Sequence, residues 1–150
     1  MALSIVLAIA SSNLVSANVS VVVADMKSTA DNFLSALTDE ERATATFKFG
    51  DDQRVDWHFI PKDRKGLALN QISGEKKTLA YALLSSGLSA RGFIQSTTIM
   101  TLEKILQDME GPGRRFPRDP ELYHVSIFGT PSTEGTWGWS FEGHHLSANF

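Results

Sequence analysis

The chain opens on an apolar stretch. From Met1 to Ala24 no side chain is charged, and Leu3 to Ala10 is almost wholly apolar. Further on, the apolar positions take up a helical period: Met26, Ala30, Phe33, Leu34 and Leu37 share one face of a helix expected over 24–37. Thr38 followed by Glu41 spells a capping box for a second, short helix. Gly50-Asp51-Asp52 then turns the chain into Arg54 to Ile60 (RVDWHFI), whose pattern predicts a strand that Pro61 ends. Ser73 is expected to cap a helix reaching about Ser86, with Leu79, Ala80, Leu83 and Leu84 inward and Gly87 as its stop. Ser89 opens the longest helix, about Ala90 to Met109. Its Phe93, Ile94, Met100, Leu102, Ile105, Leu106 and Met109 form a wide apolar face, and Gly111-Pro112-Gly113 ends it.

The final third changes period. Tyr123 to Gly129 and Thr136 to Phe150 read as two β segments joined by a connection rich in turn residues. N-terminal helices followed by antiparallel strands predict an α+β fold.

The two ends add to this picture. Val15-Ser16-Ala17 follows the apolar run as a small-residue cleavage pattern, so residues 1–17 are expected to be a signal peptide and 18–150 the mature part of a secreted or periplasmic protein. The apolar run is far shorter than the ~20 residues of a spanning helix, so no integral membrane span is expected. Phe150 comes directly after a dense aromatic stretch, where a domain would ordinarily finish in a polar tail. The chain is therefore expected to be the N-terminal part of an incomplete domain whose C-terminal half is missing, and to be prone to aggregation at its last strand.

Charge narrows the functions. A formal net charge of −3, with Arg114, Arg115 and Arg118 as the sole basic cluster, gives no nucleic-acid footprint. The absence of cysteine excludes disulfides and thiolate metal sites. No phosphate-binding glycine loop, GxSxG elbow or HExxH helix occurs. What remains are histidines beside carboxylates. Asp56 and His58 alternate onto one face of the first expected strand, and Glu142 and His144 onto one face of the last, with His145 on the opposite face beside Trp137, Trp139 and Phe141. Such pairs suit either a divalent metal (zinc, iron or manganese) held by His58, His144 and His145, or acid–base chemistry by Glu142 and His144. They equally suit plain hydrogen bonding. Trp137 and Trp139 could offer a flat platform to a ligand, or simply pack. Arg118, next to Asp119, could hold an anion or close its loop through an Arg–carboxylate pair. The substrate, a small molecule or a polymer, is not indicated.

Several blocks carry a family resemblance: WHFIP (Trp57 to Pro61), RKGL (Arg64 to Leu67), LSARGF (Leu88 to Phe93), the run from Ile99 to Glu103, RDPELYHVSIFGTPS (Arg118 to Ser132) and WGWSFEGHHLSANF (Trp137 to Phe150). Together these resemble the N-terminal half of domain-of-unknown-function family 3500, a mainly bacterial group often carrying export signals. The resemblance implies a chain about twice this length and no established activity, substrate or cofactor. It places His58, Glu142, His144 and His145 inside the most recognisable blocks, and His124 where a tyrosine is the expected residue. The functional expectations are an exported metal-dependent or acid–base hydrolase, or a non-catalytic exported ligand-binding or structural module.

Overall fold

The computed structural model of the chain describes residues 2–113 and 115–150, with side chains from 19 onward. The side chains of the expected signal peptide, and all of Arg114, thus lie outside the described residues. Four helices come first: α1 (Ala2–Ala36), α2 (Asp39–Ala45), α3 (Glu75–Gly87) and α4 (Ala90–Glu110). Two short strands, β1 (Thr46–Phe47) and β2 (Leu67–Ala68), are interleaved with them, and β3 (His124–Phe128), β4 (Gly138–Gly143) and β5 (Leu146–Asn149) follow. The fold is α+β. Its sheet has the order β1-β3-β4-β5, with β2 also on β3; all pairs are antiparallel except β1 with β3, which is parallel.

Local chemistry starts the helices where expected in two cases. Thr38 and Glu41 cap each other reciprocally ahead of α2, and the Ser89 hydroxyl accepts from the Gly92 N–H ahead of α4. At α3 the cap is Gly74 rather than Ser73; with φ 57° and no side-chain cap bond, it makes a turn that serine would resist.

The core forms where the helical and strand periods meet. Ala30 and Phe33 of α1, Leu37 just after it, and Ala80, Leu83 and Leu84 of α3 pack on Val125, Ile127, Trp139 and Phe141, which point from β3 and β4 to the same side. Each fully buried large side chain contributes about 1.5–3 kcal/mol of apolar transfer. The opposite face of those strands is polar yet also closed: Ser126, Ser140 and Glu142 are buried. Gly66 lies flush on that face. A Cβ there would fall 2.4 Å from Ser126 Oγ, and its φ of 94° is one that side chains avoid.

Three further expectations change. First, 54–60 is not a strand. Asp51 caps a 3-10 turn over Asp52–Val55, and the following segment is irregular. Arg64 explains why: its guanidinium donates to the carbonyls of His58, Ile60 and Lys62, acceptors that a neighbouring strand would otherwise engage. Second, 136–150 is not one strand but the β4–β5 hairpin, turning at His144 and His145, with His145 at φ 58°. Third, the wide apolar face of α4 is not all interior. Ser96, Met100 and Glu103 form its buried stripe, spaced as one helical edge, whereas Ile94, Leu102, Ile105 and Met109 are exposed.

Candidate active site

The β4–β5 turn is built by close packing. Gly143 sits over the Tyr123 ring, where a Cβ would come 2.2 Å from the ring edge. Tyr123 is fully buried, and its hydroxyl donates to the His144 carbonyl at 2.9 Å. On the other side the His145 N–H donates to the Phe59 carbonyl at 3.0 Å. The turn is thus clamped from below and above, and the two imidazoles lie with ring centroids 3.9 Å apart.

His144 points toward α4. Its Nδ1 lies 2.5 Å from Glu103 Oε1, and both side chains are largely withdrawn from water, at 12% and 5% exposed. Arg118 closes the group. Its Nη1 is 3.1 Å from the same Nδ1 and 4.0 Å from Glu103, while its Nε and Nη2 donate to Glu110 at 2.8 and 3.3 Å. A guanidinium only donates, so His144 Nδ1 cannot accept from Arg118 while giving its proton to Glu103. The shorter contact, to Glu103, is the one that Nδ1–H makes as donor, and in that tautomer the ring's lone pair lies on Nε2. Arg118 is held charged chiefly by its hydrogen bonds to Glu110, against the opposing effect of burial.

This cluster borders a cleft walled by Lys62, Arg64, Phe116, Asp119 and Tyr123, with free space of about 20 Å³, room for roughly one water. Across Phe116 and Pro117 an open hollow of about 430 Å³ reaches Arg118 from the other side. Burial, and secondarily Glu103, push the Tyr123 phenol well above its usual range, so it serves here as a neutral donor.

The other sequence-selected residues are elsewhere. Glu142 is buried on the polar face of the sheet, opposite His124 in register and hydrogen-bonded to Ser147; it does not join His144. Asp56 and His58 do pair, at 3.2 Å, but on the exposed loop, where Lys62 also binds Asp56. Among the described residues no three histidine, aspartate or glutamate side chains converge as a metal site. His145 was expected behind the aromatic face; it is exposed instead and lies parallel to Phe59, because the two-residue turn swings it out of the sheet. Trp139 is core, stacked on Phe150 at 4.6 Å, and offers no face to a ligand. Trp137 braces the preceding loop by donating to the Ser132 carbonyl at 2.7 Å. The aromatic side chains that are exposed, Trp57, Phe59 and Phe150, lie outside that pair. Glu103 was missed. Its signal was a carboxylate in helical phase with Ser96 and Met100, which marks a charge facing inward.

Burial raises the Glu142 carboxyl above 4.5, partly offset by the Ser147 hydrogen bond and by Arg64. A carboxyl raised on folding favours the folded state at low pH, and that contribution is lost as pH rises from the unfolded value through the folded one. Glu142→Gln is therefore expected to stabilise near pH 7 and to flatten the stability profile above about pH 4, the unfolded glutamate range. Denaturant midpoints of both proteins from pH 4 to 8 check this; a variant less stable at pH 7 would show that the carboxylate is well paired.

Residues 19–150 match the family described as "Protein of unknown function (DUF3500)", and the chain belongs to that family. No curated protein and no solved structure matches it. Among the described residues no helix is long and apolar enough to cross a membrane.

Proposed function

We propose that this member of the family is an exported hydrolase of the acid–base type, with His144 as its base. The observation that carries the proposal is the 2.5 Å contact between His144 Nδ1 and Glu103. A carboxylate fixed on one ring nitrogen sets the tautomer and orients the other nitrogen, the arrangement that proton abstraction requires. Nε2 would take a proton from water as its oxygen attacks the substrate's electrophilic centre, then return that proton to the leaving group. Arg118 would hold an anionic part of the substrate in the adjoining hollow. The uncharged N-terminal run ending in Val15-Ser16-Ala17 supports export.

The test has two arms. Protein recovered from outside the cytoplasm of a bacterial host should begin after Ala17; an intact Met1 there would count against export. Purified protein should be assayed on carboxylic ester, phosphate ester and glycoside reporters, with His144→Ala and Glu103→Gln alongside. Loss of a general base is expected to cost about 10²–10⁴-fold in rate. Nitrogen NMR of neutral His144 should place the proton on Nδ1. The opposite tautomer, or variants as active as the parent, would leave the cluster as a latch between α4 and the hairpin.

A further inference from the structure

The turn at His144 and His145 is held from outside by residues 56–66, which form neither helix nor strand beyond a bend. Backbone carbonyls in such a segment need partners of another kind. Arg64 supplies them. Its Nη2 donates to the His58 and Ile60 carbonyls at 2.5 and 2.9 Å, and its Nη1 to that of Lys62 at 3.3 Å. His58 and Ile60 flank Phe59, so one planar guanidinium fixes the backbone from which the Phe59 carbonyl projects. Two residues beyond Arg64, Gly66 lies flush on Ser126, and Leu67 then pairs with Val125. Arg64 thus reaches from an anchored segment to one without a ladder. The placement does not satisfy the arginine itself: its buried Nε has no acceptor among the described residues. Arg64 also walls the cleft that borders His144.

We propose that Arg64 is a positioning residue for His144, folding 58–62 into a clasp that locks the peptide between His144 and His145. The inference rests on the reading of His144 as a base. Tyr123 donates to the carbonyl of that peptide at 2.9 Å, and the N–H of the same peptide donates to the Phe59 carbonyl at 3.0 Å. In a trans unit these two groups point in opposite directions, so the plane is pinned at both ends. Asp56, paired with His58 and with Lys62, braces the clasp on its outer side. The lock matters because the turn is strained. His145 holds φ 58°, a left-handed value that residues other than glycine avoid, and a flip of the peptide plane would carry φ back to the ordinary negative range. That flip would also turn the His144 carbonyl away from Tyr123 and free the backbone on which the imidazole meets Glu103.

Arg64→Lys keeps the charge, but a compact ammonium cannot span three carbonyls as a planar fork does. In that variant the His145 amide should exchange with solvent about tenfold faster or more, while the amide of buried Phe141 keeps its protection. The Nδ1 proton of His144 should lose its downfield NMR signal as the bond to Glu103 opens. On any reporter that the parent hydrolyses, kcat should fall about tenfold or more, the effect of misplacing a catalytic group. KM should hold, because the clasp does not wall the hollow at Arg118. Lys65→Ala, the exposed neighbour, should change none of these. Unchanged His145 exchange in Arg64→Lys would overturn the proposal, as would a fall in kcat with the His144 signal intact. If Arg64→Lys fails to fold, the parent decides: its His145 amide should be protected, and exchange as fast as that of Thr133 in the exposed loop would overturn the clasp. Inactivity of the parent on every reporter would count against the base alone, since amide exchange and the ring signal need no substrate.

Discussion

Gly143→Ala is expected to destabilise the protein by about 1–3 kcal/mol, the usual cost of overpacking a filled site. The added methyl would lie 2.2, 2.5 and 2.7 Å from three atoms of the Tyr123 ring. That ring is fully buried, stacked on Phe141 and tied through its hydroxyl to the His144 carbonyl, so it has little room to retreat. The strain should therefore pass to the turn and move His144 relative to Glu103. Thermal unfolding checks the magnitude, at about 2–4 °C per kcal/mol for a chain of this size. Gly50→Ala is the control, because nothing lies within 4 Å of its Cβ position. Equal midpoints for the two variants would show that the Tyr123 contact relaxes freely.

Glu103→Ala is expected to cost about 1.5–3 kcal/mol, the range for a hydrogen bond to a charged group. The carboxylate is 5% exposed and bonded to His144 at 2.5 Å, and its removal also leaves Arg118 balanced by Glu110 alone within the cluster. His144→Ala should destabilise by a similar amount. The double variant should cost less than the sum, with a coupling of about 0.5–3 kcal/mol for residues in direct contact. Chemical denaturation of the four proteins measures that coupling, and strict additivity would mean that the contact contributes nothing. By contrast His145→Ala should cost only about 1 kcal/mol, because the side chain is exposed and the loss is confined to its stack on Phe59 and to a left-handed backbone at φ 58° that alanine tolerates poorly. This reverses the stability ranking that unbroken strand alternation assigns to the two histidines.

Much of the fold was legible along the chain. The α+β order, the Thr38–Glu41 box, the Ser89 cap and the start of β3 follow from local rules, because capping, helical period and turn chemistry act within a few residues. The inward positions of Phe33, Leu83 and Leu84 follow from the same periods. Family membership was also readable, from blocks spread between Trp57 and Phe150.

Long-range packing decided the rest. Whether 136–150 runs straight or doubles back depends on the Tyr123 ring beneath Gly143, a contact between residues 20 apart that no alternation pattern encodes. Arg64 draws 58–62 out of the sheet by engaging its carbonyls. The partner of His144 is likewise remote: Glu103 stands 41 positions away, while nearby Glu142 is turned by strand alternation to the opposite side of the sheet. By itself the sequence determined which residue types were available for acid–base work and which elements carry them. Only the tertiary structure decided that His144 meets Glu103 and Arg118, because side-chain direction at a turn is set by whatever packs against it.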